Sequence, residues 1–330
     1  MNGALYGVTG GGGAYGSSRN SYGTIFKVDG SGREAVVYSF KGGTDGSIPE
    51  ALIALKNKLY GTTNSGGGDC EPGPSCGYGT VFEANASGDE RVLYSFKGGE
   101  DGSEPFGGLV AVDGKLYGTT WAGGSSYGTV FEVSMSGQES VIYRFGSADT
   151  GEPYGSLIAR GGEIYGTTDG GQGTVFEMST VGEERLLHAF TCDLTDGYAP
   201  WGGVVALNGS FYGTTSLGPE NGCHGDSLGT VYELSKSGKE RLIYDFSEGA
   251  SEGGRPEEGL TVLNGELYGS TQGSIFEIST SGRERVLHYF DSPGDGLLPS
   301  GRLTIFNGKL YGVTGIGGAY NNGTIFELTP

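Results

Sequence analysis

Leu59-Tyr60-Gly61-Thr62-Thr63, answered by Tyr78-Gly79-Thr80-Val81-Phe82, is the pair of segments that decides the fold. The first segment returns at 116–120, as Ile164-Tyr165-Gly166-Thr167-Thr168 and as Phe211-Tyr212-Gly213-Thr214-Thr215, with shorter copies at Leu5-Tyr6-Gly7, Leu267-Tyr268-Gly269 and Leu310-Tyr311-Gly312. Its seven tyrosines, at 6, 60, 117, 165, 212, 268 and 311, stand 43 to 57 residues apart. The second segment ends each time on an aromatic: Phe26, Phe82, Phe131, Phe176, Tyr232, Phe276 and Phe326. Six copies continue to a Tyr/His-x-Phe run whose first member, Tyr38, Tyr94, Tyr143, His188, Tyr244 or His288, follows 12 residues later.

Working outward, each repeat holds four short β-runs. An inner run such as Gly108-Leu109-Val110-Ala111-Val112 meets Asp113-Gly114, and equivalents at Asn208-Gly209, Asn264-Gly265 and Asn307-Gly308 are strong signals for a two-residue hairpin. The Leu-Tyr-Gly run follows, then a Gly-rich loop, the Gly-Thr-Val-Phe run, a Ser-Gly turn and the outer run. No window carries a helical period. Four antiparallel strands at a period near 50 predict an all-β chain, a seven-bladed β-propeller of kelch-like blade size over a single domain, 1–330. A β-solenoid has shorter, parallel repeats and fits worse. The first blade lacks its inner strand and the last its outer strand, so both terminal blades are incomplete.

Composition agrees. Gly supplies 69 of 330 residues, too many for an ordinary core yet without the three-residue period of collagen. Tyr (20) and Phe (15) supply the apolar area that a disordered chain lacks. The net charge of −19 argues against nucleic acid as a partner, and no run is long and apolar enough to predict membrane insertion. The start, Met1-Asn2-Gly3-Ala4, shows neither a charged segment nor an apolar core, so no signal sequence is expected in this chain.

The run Tyr78-Gly79-Thr80-Val81-Phe82, Ser87-Gly88, Val92-Leu93-Tyr94-Ser95-Phe96-Lys97-Gly98-Gly99, Asp101-Gly102 and Pro105-Phe106-Gly107-Gly108-Leu109 resembles the GloVer tandem repeat of exported bacterial proteins. The resemblance covers nearly the whole chain. It implies a secreted or surface-anchored protein and carries over no catalytic residue.

Function is sought where the repeat varies. From the Leu-Tyr-Gly tyrosine to the next Gly-Thr the separations are 17, 19, 11, 8, 17, 5 and 12 residues. These middle loops are expected on the same face as the links into each blade, and loops over a rigid scaffold carry function. The links hold Asp-Gly-x-x-Pro at Asp45/Pro49, Asp101/Pro105, Asp196/Pro200 and Asp295/Pro299. Asp before Gly and Pro reads as a turn, and the alternative is calcium on Asp193 and Asp196, although the twelve-residue EF-hand pattern is absent.

Just after each Pro comes Glu50, Phe106, Tyr154, Trp201, Glu257 or Ser300. Phe106, Tyr154 and Trp201, with Trp121 and Tyr198 on neighbouring loops, suit stacking on the apolar faces of sugar rings; alternatively they fill the channel and pack between blades. Glu50 and Glu257 are the candidate carboxylates for a glycoside hydrolase or lyase. His188 and His288 replace a repeated Tyr and read as structural, and no zinc spacing, nucleophile elbow or phosphate loop is present. The four cysteines suggest two disulfides on the variable face, Cys70 with Cys76 inside one loop and Cys192 with Cys223 across one blade, as suits an oxidising compartment. Three readings follow: an extracellular propeller binding a ligand, most plausibly carbohydrate; a polysaccharide-active enzyme at the same mouth; or a structural or adhesion scaffold.

Overall fold

The computed structural model describes residues 1, 3–16, 21–68, 76–148, 150–191, 196–219, 228–246 and 254–330. Among them the regular structure is β, with two single 3-10 turns at Gly43–Asp45 and Gly99–Asp101. The strands form seven antiparallel sheets in sequence order. The second sheet is typical: Ser47–Leu55 (inner), Lys58–Ser65, Thr80–Ala84 and Glu90–Ser95 (outer). The first has three strands and begins with Ala4–Thr9; the last has three and ends with Ile325–Leu328. The chain is therefore the expected seven-bladed β-propeller, its terminal blades short of one strand each.

The chain groups into two compact units, residues 1–164 with 178–184, and residues 165–177 with 185–330. The first contains blades 1 to 3 and the second blades 5 to 7. Each has a core distributed between neighbouring blades. In the first unit, Phe82 and Leu59 pack with Phe40 and Ile25, while Phe131 and Leu116 pack with Phe96 and Val81. In the second, Phe276 and Leu267 pack with Phe246 and Val231. The outer-strand Phe meets the next blade's aromatic edge to face, with centroids 5.2 Å apart for Phe40–Phe82 and 5.1 Å for Phe246–Phe276. Such pairs add roughly 0.5–1.5 kcal/mol each beyond area burial.

The repeated residues have local reasons. Both residues of the inner turn take positive φ, 48° and 82° at Asp113-Gly114 and 50° and 94° at Asn208-Gly209, which is the hairpin geometry that Asn-Gly favours. Gly61 leaves room for the aromatic ring one strand away: a Cβ there would sit 2.6 Å from Phe82 Cζ. A threonine pair clamps the hairpin where each middle loop leaves the sheet, as at Thr63–Thr80 (Oγ1 to Oγ1, 2.8 Å) and Thr215–Thr230 (2.7 Å). Loops of any length can therefore grow from the same exit.

A latch joins consecutive blades. Gly79 has φ 94°, and a Cβ on it would lie 2.5 Å from Pro105 Cδ and 2.5 Å from the Thr63 carbonyl oxygen. The N–H of Glu104, ahead of that Pro, donates to the Tyr78 carbonyl at 3.0 Å. Gly173 meets Pro200 and Gly229 meets Pro256 in the same way. The residue before each Pro is left-handed, with φ 57° at Ile48, 58° at Glu104, 61° at Glu152, 58° at Ala199, 56° at Arg255 and 57° at Leu298. A residue before Pro ordinarily prefers extended backbone, so the latch holds strain just where each inner strand opens.

Candidate functional site

In blades 2, 3, 5 and 7 the middle loop pairs with the link leading into that same blade. Gly67 N–H donates to the Gly43 carbonyl and Gly124 N–H to the Gly99 carbonyl, each at 2.7 Å. Tyr198 and Leu217 form an antiparallel bridge, and Gly318 N–H donates to the Pro293 carbonyl at 2.7 Å. Variable loops and acidic links thus share one face of these blades, as expected.

The link aspartates are bound by the protein itself. Asp45 accepts from Tyr38 Oη at 2.6 Å and from Lys41 N–H at 2.7 Å; Asp101 accepts from Tyr94 Oη and Lys97 N–H, both at 2.7 Å. His188 and His288 take the tyrosine's place, 3.0 Å from Asp196 and 2.6 Å from Asp295. The turn reading of these aspartates accounts for their geometry. Asp196 spends one carboxylate oxygen on His188 and Thr191 N–H, Asp193 lies outside the described residues, and no cluster of three metal-ligating side chains occurs among the described residues.

A third member of this network is the glutamate that opens each outer strand. Burial, and then the negative charge of Asp45, push Glu90 up to about 8; burial and Asp101 push Glu139 up to about 7. Each glutamate faces the Tyr–Asp pair of the preceding blade, so a carboxylic acid holds its proton between blades.

The openings of the inner strands hold the candidate ligand residues. In the first unit Phe106 and Tyr154 stack, with centroids 4.6 Å apart and planes 28° from parallel, both rings half-buried. Trp121 is 36% exposed, and its backbone N–H donates to the Glu104 carbonyl beside Phe106. Glu50 is half-buried. In the second unit the Trp201 indole Nε1–H donates to Asp169 Oδ1 at 2.6 Å, which fixes the ring. Tyr198 is half-buried on the bridge to Leu217. Glu257 accepts from Gln272 Nε2 at 2.8 Å. Its neighbour Glu258 is held by the Gly301 N–H, yet burial outweighs that bond and raises its pKa.

The structure thus brings Phe106 to Tyr154 and Trp201 to Asp169. Asp169, Glu258 and the outer-strand glutamates were not singled out in the sequence. For the glutamates a signal existed, since Glu34, Glu90, Glu139, Glu184, Glu240 and Glu284 recur at one repeat position. Of the four cysteines only Cys76 is described, and it is not a free thiol; Cys70, Cys192 and Cys223 lie outside the described residues.

A family model described as the Gloeobacter/Verrucomicrobia repeat matches residues 69–272 and again 169–330. The chain belongs to that repeat family. No curated protein matches it by sequence. Among solved structures it is similar to a streptogramin B lyase at 13% identity and TM-score 0.64, over 98% of both chains. It is similar to virginiamycin B lyase of Staphylococcus aureus at 10% identity and TM-score 0.65, over 99% of both. A putative 6-phosphogluconolactonase of Bacteroides fragilis follows at 16% identity and TM-score 0.57, over 99% of this chain and 94% of that one. At such identities the likeness establishes the propeller fold alone. For the Gloeobacter/Verrucomicrobia repeat in this chain, function must be argued from the inner-strand openings.

Proposed function

We propose that the chain is an extracellular or cell-surface propeller that binds carbohydrate at its inner-strand openings: in the first unit Phe106 and Tyr154 are the stacking platforms with Trp121 at the rim, and in the second unit Trp201 is the platform with Tyr198 at the rim. The observation that supports this most is Trp201. Its ring is only half-buried, unlike the core aromatics, and Asp169 orients it through the indole nitrogen. A large amphipathic ring held still in a wall of glycines suits a sugar face, because little side-chain entropy is left to lose on binding.

The oxidising location rests on the cysteines. Tyr198 and Leu217, in the two segments that carry Cys192 and Cys223, are bridged, and Cys76 is no free thiol. Both features are consistent with the pairs Cys70–Cys76 and Cys192–Cys223. Alkylation followed by mass spectrometry tests this; four free thiols in protein made in an oxidising compartment would remove the argument.

A second reading is favoured by Glu258. A carboxyl whose pKa is raised by burial, next to Glu257, has the makings of a general acid for a polysaccharide hydrolase or lyase. Glycan-array binding run beside a reducing-sugar assay and an assay for unsaturated products separates the readings. Binding without turnover supports the first, turnover that falls in Glu258→Gln supports the second, and silence in all three leaves a scaffold.

A further inference from the structure

The position just before the leading aliphatic residue of each inner strand is small in five blades: Ala51, Gly108, Ser156, Gly203 and Gly259 precede Leu52, Leu109, Leu157, Val204 and Leu260. Before Leu303 the residue is Arg302. The pattern is broken once, by the largest cation available. In the second unit the neighbouring inner strand runs alongside it. A Cβ on Gly259 would lie 3.7 Å from Arg302 Cδ, and a Cβ on Gly202 would strike the Glu258–Gly259 backbone at 2.5 Å, so this wall is kept bare of side chains.

Arg302 is also unlike the arginines of the outer strands. Arg91, Arg185, Arg241 and Arg285 each lie against a glutamate of the neighbouring strand. Arg302 makes no hydrogen bond or ion pair among the described residues. Solvent reaches it, yet the surrounding protein strips enough water from the guanidinium to push its pKa down, with no carboxylate near enough to restore it. An exposed guanidinium without a partner among the described residues is available to pair with an anion.

We infer that Arg302 is the anchor of an anion subsite, which takes the carboxylate of an acidic sugar, a uronic or aldonic acid unit, at the mouth where Trp201 stacks. This deepens the carbohydrate reading and rests on it for the sugar part. A planar guanidinium matches a carboxylate with two parallel N–H···O bonds. A single cation, in a chain of net charge −19, suits one negative charge better than a phosphate dianion or a densely charged polymer.

The test is calorimetric titration of the full chain with glucuronate oligosaccharides, matched neutral gluco-oligosaccharides, glucose 6-phosphate and propionate. The variants are Arg302→Ser, which restores the residue type found at Ser156, and Arg302→Lys. The wild type should prefer the acidic sugar to its neutral counterpart on the order of tenfold or more, the range of a hydrogen bond to a charged group. Arg302→Ser should lose that preference with an unchanged melting temperature, and Arg302→Lys should keep part of it. Acidic and neutral sugars binding alike, or equal acidic-sugar binding by Arg302→Ser, would overturn the inference and leave the carbohydrate reading standing. Tighter binding of glucose 6-phosphate than of glucuronate overturns the choice of a carboxylate. Arg302-dependent binding of propionate with no added affinity from the sugar keeps the anion subsite and removes the sugar. No binding of any probe overturns both.

Discussion

Glu90, Asp45 and Tyr38 at the outer edge of the repeat, and Trp201, Glu258 and Arg302 at the openings of the inner strands, obey the same sevenfold pattern differently. The outer edge repeats itself: a tyrosine or histidine donates to a link aspartate, and the next blade's glutamate closes on the pair. The inner openings keep their Pro and their left-handed residue before it, while the side chains that follow change from blade to blade. Repetition marks what holds neighbouring blades together. Departure marks what the fold does not need, and such positions are free to meet a ligand.

The sharpest way to break this contrast is at the latch. Gly79→Ala puts a Cβ against Pro105 and the Thr63 carbonyl at a backbone angle that L-residues avoid. The left-handed strain costs about 1–2 kcal/mol and the overpacking about 1–3 kcal/mol, for a combined loss of roughly 2–5 kcal/mol. Arg302→Ser, on the other side of the contrast, should leave stability within about 0.5 kcal/mol. Urea unfolding of the two variants checks both expectations, and equal midpoints would dissolve the distinction.

The second expectation concerns pH. Glu90 is raised from 4.5 to about 8 in the folded chain, and Glu139 from 4.5 to about 7. A carboxyl whose folded pKa lies above its unfolded one binds its proton more tightly when folded. Its stabilising contribution is complete below pH 4.5 and is lost as pH rises through about 8. The loss should be about 1–2 kcal/mol for each inter-blade acid, allowing for solvent screening of half-buried groups. Unfolding midpoints between pH 5 and 9 should fall with pH, and Glu90→Gln, which cannot ionise, should flatten that slope. A flat wild-type profile would show that the acids do not share their protons between blades.

The fold was legible because its signals are repeated and local. Asn208-Gly209 writes its own hairpin turn, and Tyr60-Gly61 pairs with Phe82 at a constant interval. The placing of loops beside links was legible from strand order. What the sequence did not disclose is contact between distant repeats. Nothing in Gly79 alone names Pro105 as its neighbour, and nothing in Glu90 alone names Asp45. Asp169 was hidden because the variable position after Leu-Tyr-Gly-Thr-Thr gives no hint of the indole across from it. Arg302 was visible as a break in a row of small residues, but only the strand alignment of the structure makes that row evident.

Tyr232 breaks the outer pattern in the opposite sense. Six repeats carry Phe here, whereas the Tyr232 hydroxyl is fully buried and has no hydrogen-bond partner among the described residues. Removing an unsatisfied buried hydroxyl should help, so Tyr232→Phe is expected to raise stability by about 1 kcal/mol. A loss instead would reveal a partner for the hydroxyl and make blade 5 a site rather than a variant of the repeat.

The smallest expected effect is the one that bears on function. If Trp201 is a platform, Trp201→Ala should weaken sugar binding by the value of one aromatic contact, roughly 0.5–1.5 kcal/mol, or about 2- to 13-fold. Stability should change little, because the ring is half-buried and the bond it makes to Asp169 lies at the mouth. A ring that plugs the core behaves otherwise, and truncating such a Trp costs about 3–5 kcal/mol. Trp201→Phe refines the comparison by keeping a stacking face while removing the indole nitrogen that Asp169 holds. Under the platform reading it should retain more affinity than Ala, with the remaining deficit reproduced by Asp169→Ala in the wild-type Trp background. Melting curves and titrations on the same three variants decide the matter: a large fall in melting temperature with unchanged affinity would return Trp201 to the core and leave the inner openings without their best platform.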